Sequence, residues 1–264
     1  MLVPIRAPKR KLNMAKRVYE MYDSTNVTDD MLQEAAELFS ENYGVWAPTA
    51  AGILGSFAKE GKHVKMSKNK LRAQCLPKDS VSSYARVVVD GRVVGNAFAC
   101  RWKFNDRTVC WITQLVVHRD YRERGFAVGL LNVLKEDDDI YGLVSSHPAA
   151  CVAAARAFGS IISNVNLDFI KKNAKGIMES SPVSYVRDAQ LHGSLFNARE
   201  TDGSVSSVDT NYYVDHTEPL EALSLVRETF DWPLGELPDG HEFLFLLEAK
   251  RRSRSRSRAG TASE

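Results

Sequence analysis

Residues Cys110–Val133 read CWITQLVVHRDYRERGFAVGLLNV, and the rest of the chain is best located relative to them. An apolar run ends in a short polar turn, Val117–Tyr121. Arg122, Gly125 and Ala127 follow at the spacing R-x-x-G-x-A. Ala127, Leu130, Leu131 and Leu134 then fall at i, i+3, i+4 and i+7, one face of a helix. The segment is therefore strand, tight basic loop, helix. A helix N-terminus presents unpaired N–H groups and a partial positive charge, and a glycine there lets a phosphate reach the backbone. Arg122–Val128 is a candidate pyrophosphate cradle that has neither a Walker lysine nor G-x-G-x-x-G.

Upstream, Ser83–Val89 alternates as a strand and Asp90-Gly91 is a hairpin turn signal. Arg92–Lys103 returns, Asn105-Asp106 turns the chain again, and Thr108–Val117 completes a three-stranded meander. Thr28, Asp29 and Asp30 can start a helix with Leu32, Ala35, Ala36, Phe39 and Tyr43 on one face. Residues 44–61 read as a loop and 67–75 as a second, short helix. Downstream, the helix over 125–136 is closed by the acidic run Glu136–Asp139. Ile140–Ser145 is a short strand ending at His147-Pro148, and an alanine-rich helix runs to Phe158-Gly159. Beyond it the pattern predicts a strand over 206–215, a helix over 218–230 and a strand over 241–247.

Together, helix, helix, meander, helix, strand, helix and late strand resemble the GNAT superfamily of acyl-CoA-dependent N-acyltransferases, and the chain is similar to fungal members of it. Gln114-Leu-Val-Val117 with Arg122-x-x-Gly125-x-Ala127 carries the resemblance, against a family pattern of a strand followed by Q/R-x-x-G-x-G/A. It spans roughly residues 29–165, with 241–247 closing the sheet. The fold it implies is α/β: a mixed, mostly antiparallel sheet flanked by helices, with splayed central strands that admit a pantetheine arm. Acetyl-CoA is the co-substrate it implies, and no metal. Mapped onto this sequence, backbone groups of Leu115 and Val117 meet the pantetheine amides, and an N–H near Leu115 or Val116 polarises the thioester carbonyl. The amides of Arg122, Glu123, Arg124, Gly125, Phe126, Ala127 and Val128 hold the pyrophosphate.

The sequence departs from the family at two places. Ala155 stands where many members carry a tyrosine that protonates the leaving thiolate, and the strand residues Trp111, Thr113 and Gln114 include no carboxylate base. His147 is the nearest titratable substitute for the acid and is the candidate catalytic residue, its alternative role being a helix cap. Glu41, Asp215 and His216 are the available bases. Cys151 and Ser145–Ser146 read as packing and capping groups. Tyr43, Trp46, Tyr212 and Tyr213 either line an acceptor pocket or pack in the core, and the loop 44–61 is the expected source of acceptor specificity.

Composition bounds the remaining choices. No run of about 18 apolar residues is present, which argues against a membrane span. The four cysteines lack metal-type pairing and read as reduced thiols. Net charge is +2, but the six Lys/Arg of residues 1–17 and the six of 250–264 leave 23 basic against 32 acidic residues between them, a net of −9 for 18–249. An acidic body argues against a nucleic-acid reader. Residues 1–17 are expected to be a basic leader, 18–249 a single acyltransferase domain, and 250–264 an Arg/Ser tail unable to form a core. Pro8–Lys11 and Lys250–Arg258 are short basic clusters of the kind that direct nuclear import, so the expected location is cytoplasmic with access to the nucleus. The expected activity is acetyl transfer to a primary amine on a small molecule. A protein or peptide acceptor and a non-catalytic acyl-CoA-binding module are the alternatives, the first calling for an extended groove, the second for binding without thiol release.

Overall fold

The computed structural model describes residues 16–78 and 80–249. The segments 1–15 and 250–264, with the expectations attached to them, lie outside the described residues. Arg17, assigned to the leader from sequence, instead opens a strand. Eight strands are formed: β1 (Arg17–Asp23), β2 (Val81–Val89), β3 (Arg92–Phe104), β4 (Arg107–Val117), β5 (Ile140–Ser145), β6 (Gln190–His192), β7 (Ser207–Asp209) and β8 (His241–Glu248). They join one sheet in the order β1-β2-β3-β4-β5-β8-β7-β6. Every neighbouring pair is antiparallel except β4 and β5, which run parallel. The mixed, mostly antiparallel sheet is thus as the sequence implied.

Helices cover both faces. Thr28 caps α1 (Asp29–Asn42) by accepting from the Met31 N–H, with Asp29 and Asp30 in the first turn complementing the helix dipole. A short α2 (Ala50–Leu54) lies within the expected loop, followed by α3 (Lys68–Cys75), capped by Ser67. α1 and α3 bury Leu32, Ala35, Leu71 and Cys75 against Tyr84 and Phe98 of the sheet. Ala85 and Val87, pointing the other way from the same strand, pack with Phe126, Leu130 and Leu131 of α4 (Phe126–Leu134). α5 (Pro148–Ala157) and α6 (Leu167–Glu179) complete that larger core. α7 (Ser184–Arg187) and α8 (Thr217–Thr229) follow.

Three of the elements that differ from expectation do so for separate reasons. β1 escapes a hydrophobic-pattern reading because it is an edge strand in which no residue is fully buried. It is held by pairing with β2, by Arg17 stacked 4.2 Å over the Phe126 ring, and by Tyr19 against Gly129, where any Cβ would meet the tyrosine hydroxyl. The strand predicted over 206–215 shrinks to β7, because Asp209 accepts from the Asn211 N–H and Asn211 turns into the left-handed region at φ +52. α6 was legible, with Asn166 as its cap and Phe169, Ile170, Ala174 and Ile177 at helical spacing, but was not read.

The acidic run after α4 does more than end that helix. Asp138 and Glu136 pair with the buried Arg101 of β3, which also donates to the Leu134 carbonyl and Ser83. A buried guanidinium with every direction answered is tolerated, whereas one stripped of its carboxylate is not. This network fixes the start of β5 beside β4.

β4 and β5 pair only from Val109–Ile112 against Ile140–Leu143. Within that paired half the Trp111 ring lies across Gly142, where an added Cβ would stand 2.5 Å from the indole and 2.8 Å from Leu246. Both neighbours are fully buried, so neither has room to yield. Gly142→Ala should therefore cost about 1–3 kcal/mol, the usual range for overpacking. It should read as a lowered denaturation midpoint at unchanged m-value, and a midpoint equal to the parent's would refute this packing.

Candidate active site

Past Ile112 the two central strands part. β4 carries a bulge at Thr113: Phe98 stands opposite Gln114, whereas Ala99 stands opposite Ile112. β5 stays with β8 as far as Ser145, and β4 stays with β3 as far as Val117. The result is an open V between Thr113–Val117 and Val144–Ser145, the splayed strands expected from the resemblance. The hydrogen-bond alternation of an antiparallel pair decides what lines it. His118 donates its N–H to the Val94 carbonyl, so Val116, two residues back, also faces β3. The N–H and C=O of Leu115 and Val117 are turned the other way, into the V.

The wider end of the V meets the loop before α4. Gly125, the N-cap, has φ +79, and a Cβ on it would find no atom within 4 Å, so that side of the turn is open. Glu123 also adopts a positive φ, of 61°. Among the described residues the backbone N–H groups of Glu123, Arg124 and Gly125 donate to no protein acceptor. Phe126, Ala127 and Val128 add the unpaired N–H groups of a first helical turn. Seven sequence-predicted positions, 122–128, are thus contiguous around one opening. Arg122 is differently employed from its neighbours: it donates to the Val117 and Asn42 carbonyls and pairs with Glu218 of α8. It ties the loop to α1 and α8, while Arg124 projects outward over the Tyr121 ring. His118 is held structurally, with Nδ1 accepting from the Asp120 N–H and Nε2 2.9 Å from Arg92.

The narrow end of the V opens into a cavity of about 340 Å³ lined by Ile112–Leu115 of β4, Leu143–Ser145 of β5, Phe39 of α1 and Tyr43 at its C-terminal cap, and residues of α3, α7 and β7. Glu242 of β8 lines it too. Its side chain is 7 % exposed, and burial pushes its carboxyl above the usual range, against partial support from Thr210, Tyr43 and the Ser146 backbone. The Tyr43 hydroxyl donates to it across 3.4 Å. Tyr185 of α7 lines the same cavity and donates its hydroxyl hydrogen to the Thr113 carbonyl at 2.8 Å. Burial raises the Tyr43 and Tyr185 phenols well above their ordinary values, so both are protonated at neutral pH.

Several candidates from the sequence lie elsewhere. His147 does not line the cavity: its Nδ1 accepts from the Ala149 N–H as the cap of α5, and its Nε2 faces Glu218 at 3.8 Å. Glu41, Asp215 and His216 are absent from the lining, and Asp215 accepts from Thr217 at the start of α8. Cys151 is buried in α5 with its thiol pushed up by burial. Of the aromatic group, Tyr43 and Tyr212 reach the cavity, while Trp46 and Tyr213 pack behind them. No residue of the loop 44–61 lines it; α3 does so instead, through Lys70, Gln74 and Cys75. Glu242 was missed, although a glutamate directly before the apolar run Phe243–Leu247 was a signal. Away from the cavity, His192, Glu200 and Asp202 converge, and the 2.7 Å His192–Asp202 hydrogen bond accounts for their arrangement.

Residues 34–157 match the model of the acetyltransferase (GNAT) family. No curated protein matches the chain. Among solved structures the chain is similar to the glucosamine N-acetyltransferase region of a fungal multi-domain β-N-acetylglucosaminidase, at 15% identity and TM-score 0.38, over 50% of this chain and 14% of that one. It is also similar to the ribosomal-protein-S18-alanine N-acetyltransferase of Escherichia coli, at 14% identity and TM-score 0.35, over 54% and 77% of the two chains. An aminoglycoside acetyltransferase from an uncultured soil metagenomic sample matches at 20% identity and TM-score 0.30, over 45% and 69%. Such scores carry no argument alone; the family match does, because it takes in the meander, the V and the loop of residues 122–128. The match takes in 124 of the chain's 264 residues, and within it the sheet, the V and the loop have the GNAT-like arrangement expected of an acyl-CoA-dependent N-acyltransferase.

Proposed function

We propose that the enzyme moves the acetyl group of acetyl-CoA onto a primary amine of a small molecule, by direct attack and without a covalent enzyme intermediate. The observation that carries this reading is the buried Glu242 carboxylate facing the same cavity as the open backbone edge at Leu115. Acetyl-CoA, when bound, supplies the activated acyl group. The Leu115 C=O and the Val117 N–H offer partners to the pantetheine amides, the Val117 C=O being held by Arg122, and residues 123–128 offer N–H groups to the pyrophosphate, with Arg122 fixing the loop's position. The Leu115 N–H, rather than that of Val116, is free to donate to the thioester oxygen. A positioned donor of this type contributes roughly 3–4 kcal/mol to transition-state stabilisation in acyl transfer. Glu242 takes the proton that the attacking amine must lose.

A small cationic acceptor fits the lining. Glu242, Asp188 and Asp209 contribute three carboxylates against the single cation Lys70, and Phe39, Tyr43 and Tyr212 offer aromatic faces. A cavity of about 340 Å³ has room for a small amine. Thiol release from acetyl-CoA over a panel of small amines and N-terminal peptides tests this: turnover confined to peptides overturns the small-molecule reading, and binding without release overturns the enzymatic one.

Gly125→Asp should weaken CoA binding by tenfold or more, about 1.4 kcal/mol, by placing a carboxylate beside the pyrophosphate in a backbone region that disfavours a side chain. Calorimetry reads this directly, with Gly125→Asn as the control that tolerates the left-handed conformation without adding charge. Parent-like affinity in the aspartate variant would put the cradle elsewhere.

Glu242→Gln should lower turnover by about 10²-fold or more. Because burial raises the folded pKa, a base at this position becomes competent only as pH rises through that raised value, so the parent's rate should climb above the ordinary carboxylate range and the glutamine variant should lack that limb. Linkage gives the opposite sign for stability: Glu242's contribution is present below its unfolded pKa and is lost as pH rises through the folded one. Glu242→Gln should therefore melt higher than the parent at neutral pH. His147→Ala should cost about 1 kcal/mol of stability through the lost cap while leaving turnover near the parent value. A large drop in turnover would restore the imidazole to the chemistry.

A further inference from the structure

Two polar side chains lining the cavity are more than nine-tenths buried, and their surroundings differ. Glu242, 7 % exposed, receives the Tyr43 hydroxyl. Gln114 of β4, 8 % exposed, makes no hydrogen bond: its Oε1 is enclosed without a partner, and nothing among the described residues answers its amide nitrogen. The Thr113 hydroxyl has the Cys75 thiol beside it, and the remaining polar side chains of the lining keep contact with solvent. The local structure gives Gln114 no internal partner. Phe98 stands opposite it on β3, and Val116, on the same face two residues on, packs with Phe39 and Trp46. A buried amide that no group answers is costly, so its place on this otherwise apolar wall calls for a ligand. Gln114 directly precedes Leu115, whose N–H is turned into the V, so the amide stands where an acceptor meets the acyl group.

We infer that Gln114 selects the acceptor by hydrogen-bonding a neutral hydroxyl or carboxamide that the substrate carries beside its reacting amine. The inference rests on the acetyl-transfer reading above and narrows it: the acceptor is an amino alcohol or an amino amide, not a plain alkylamine. A carboxamide offers one acceptor oxygen and two N–H donors, and a half-turn about its last bond presents either end to the cavity. A hydroxyl or an amide on the substrate donates and accepts in the same way. An alkyl group would leave both ends of Gln114 unanswered, and a second ammonium would answer only the oxygen, leaving the N–H groups to face a cation. Glu242 receives the amine itself, so the two buried side chains divide the substrate between them, one taking its charged end and the other its neutral end. A site built around a buried hydrogen-bonding group rejects the analogue that lacks the matching group, because the protein side is then left unpaired.

The test sets ethanolamine against propylamine and glycinamide against isobutylamine, pairs of nearly equal shape, in the full-chain parent and in Gln114→Met. Rates are kcat/KM per concentration of unprotonated amine, which removes the difference in basicity within a pair. The parent should favour the polar member of at least one pair by about tenfold or more, and Gln114→Met should lose that preference. CoA affinity, read by calorimetry, should stay the same in both proteins. Preference for ethanolamine alone assigns a hydroxyl to the substrate, and preference for glycinamide alone assigns a carboxamide. A parent without preference, or an equal preference in the variant, overturns the inference. Without ligand, methionine removes the unanswered amide, so the variant should melt no lower than the parent. A variant that melts well below it, or does not fold, shows that Gln114 has an internal partner and also overturns the inference. A parent that releases no thiol with any amine refutes the transfer reading instead. The same pairs are then titrated into the CoA complex, where a binding preference lost in Gln114→Met upholds the Gln114 subsite and the absence of one overturns it.

Discussion

The structure depends on two parallel strands that share hydrogen bonds for four residues and then separate. β4 and β5 are paired up to Ile112 and Leu143 and apart beyond them. Unpaired backbone in a sheet interior is costly unless something answers it. Here the answers are divided. Tyr185 takes the Thr113 carbonyl and Arg122 takes that of Val117, whereas Leu115 between them is left for a ligand. The opening persists because each strand is secured on its far side, β4 by β3 and β5 by β8. Trp111 over Gly142 and Arg101 with Asp138 lock the paired half, so that the V has a fixed hinge.

The Arg122 contacts give the loop its second function. A guanidinium bonded to Asn42, Val117 and Glu218 joins α1, β4 and α8 around the phosphate cradle. The basic residue in the motif thus orders the loop, and the groups it leaves unpaired there are the backbone N–H groups of Glu123, Arg124 and Gly125 at the start of α4. His147 belongs to the same assembly through Glu218, whose carboxyl is held below its ordinary value first by His147 and then by Arg122.

The chemistry assembled at the narrow end comes largely from outside the family segment. Tyr43 caps α1, but Tyr185, Thr210, Tyr212 and Glu242 come from the C-terminal third of the chain. That third extends the sheet by β8, β7 and β6 and folds across the mouth of the V. Glu242 of β8 sits next to the end of β5 because Ser145 stands opposite Phe243, one residue from Glu242.

The meander, the strand–loop–helix motif and the order of elements from α1 to α5 were legible in the sequence, because hydrophobic period, turn residues and capping residues act over a few positions. So was the loop that opens α4, since one glycine and one helix start define it locally. β1 was illegible because an edge strand buries no full face, and α6 was readable but overlooked. The catalytic geometry belonged to another order of information. Whether His147 points into a cavity or caps a helix, whether a glutamate in an apolar strand meets solvent or a tyrosine hydroxyl, and whether α7 reaches the bulge at Thr113 all depend on residues far apart in the chain. The sequence by itself determined the mixed, mostly antiparallel fold and the strand–loop–helix passage through residues 122–128. Only the packing of β8 and α7 against the parted strands decided which carboxylate and which phenol line the cavity, because burial and proximity are properties of the folded sheet and not of any local stretch.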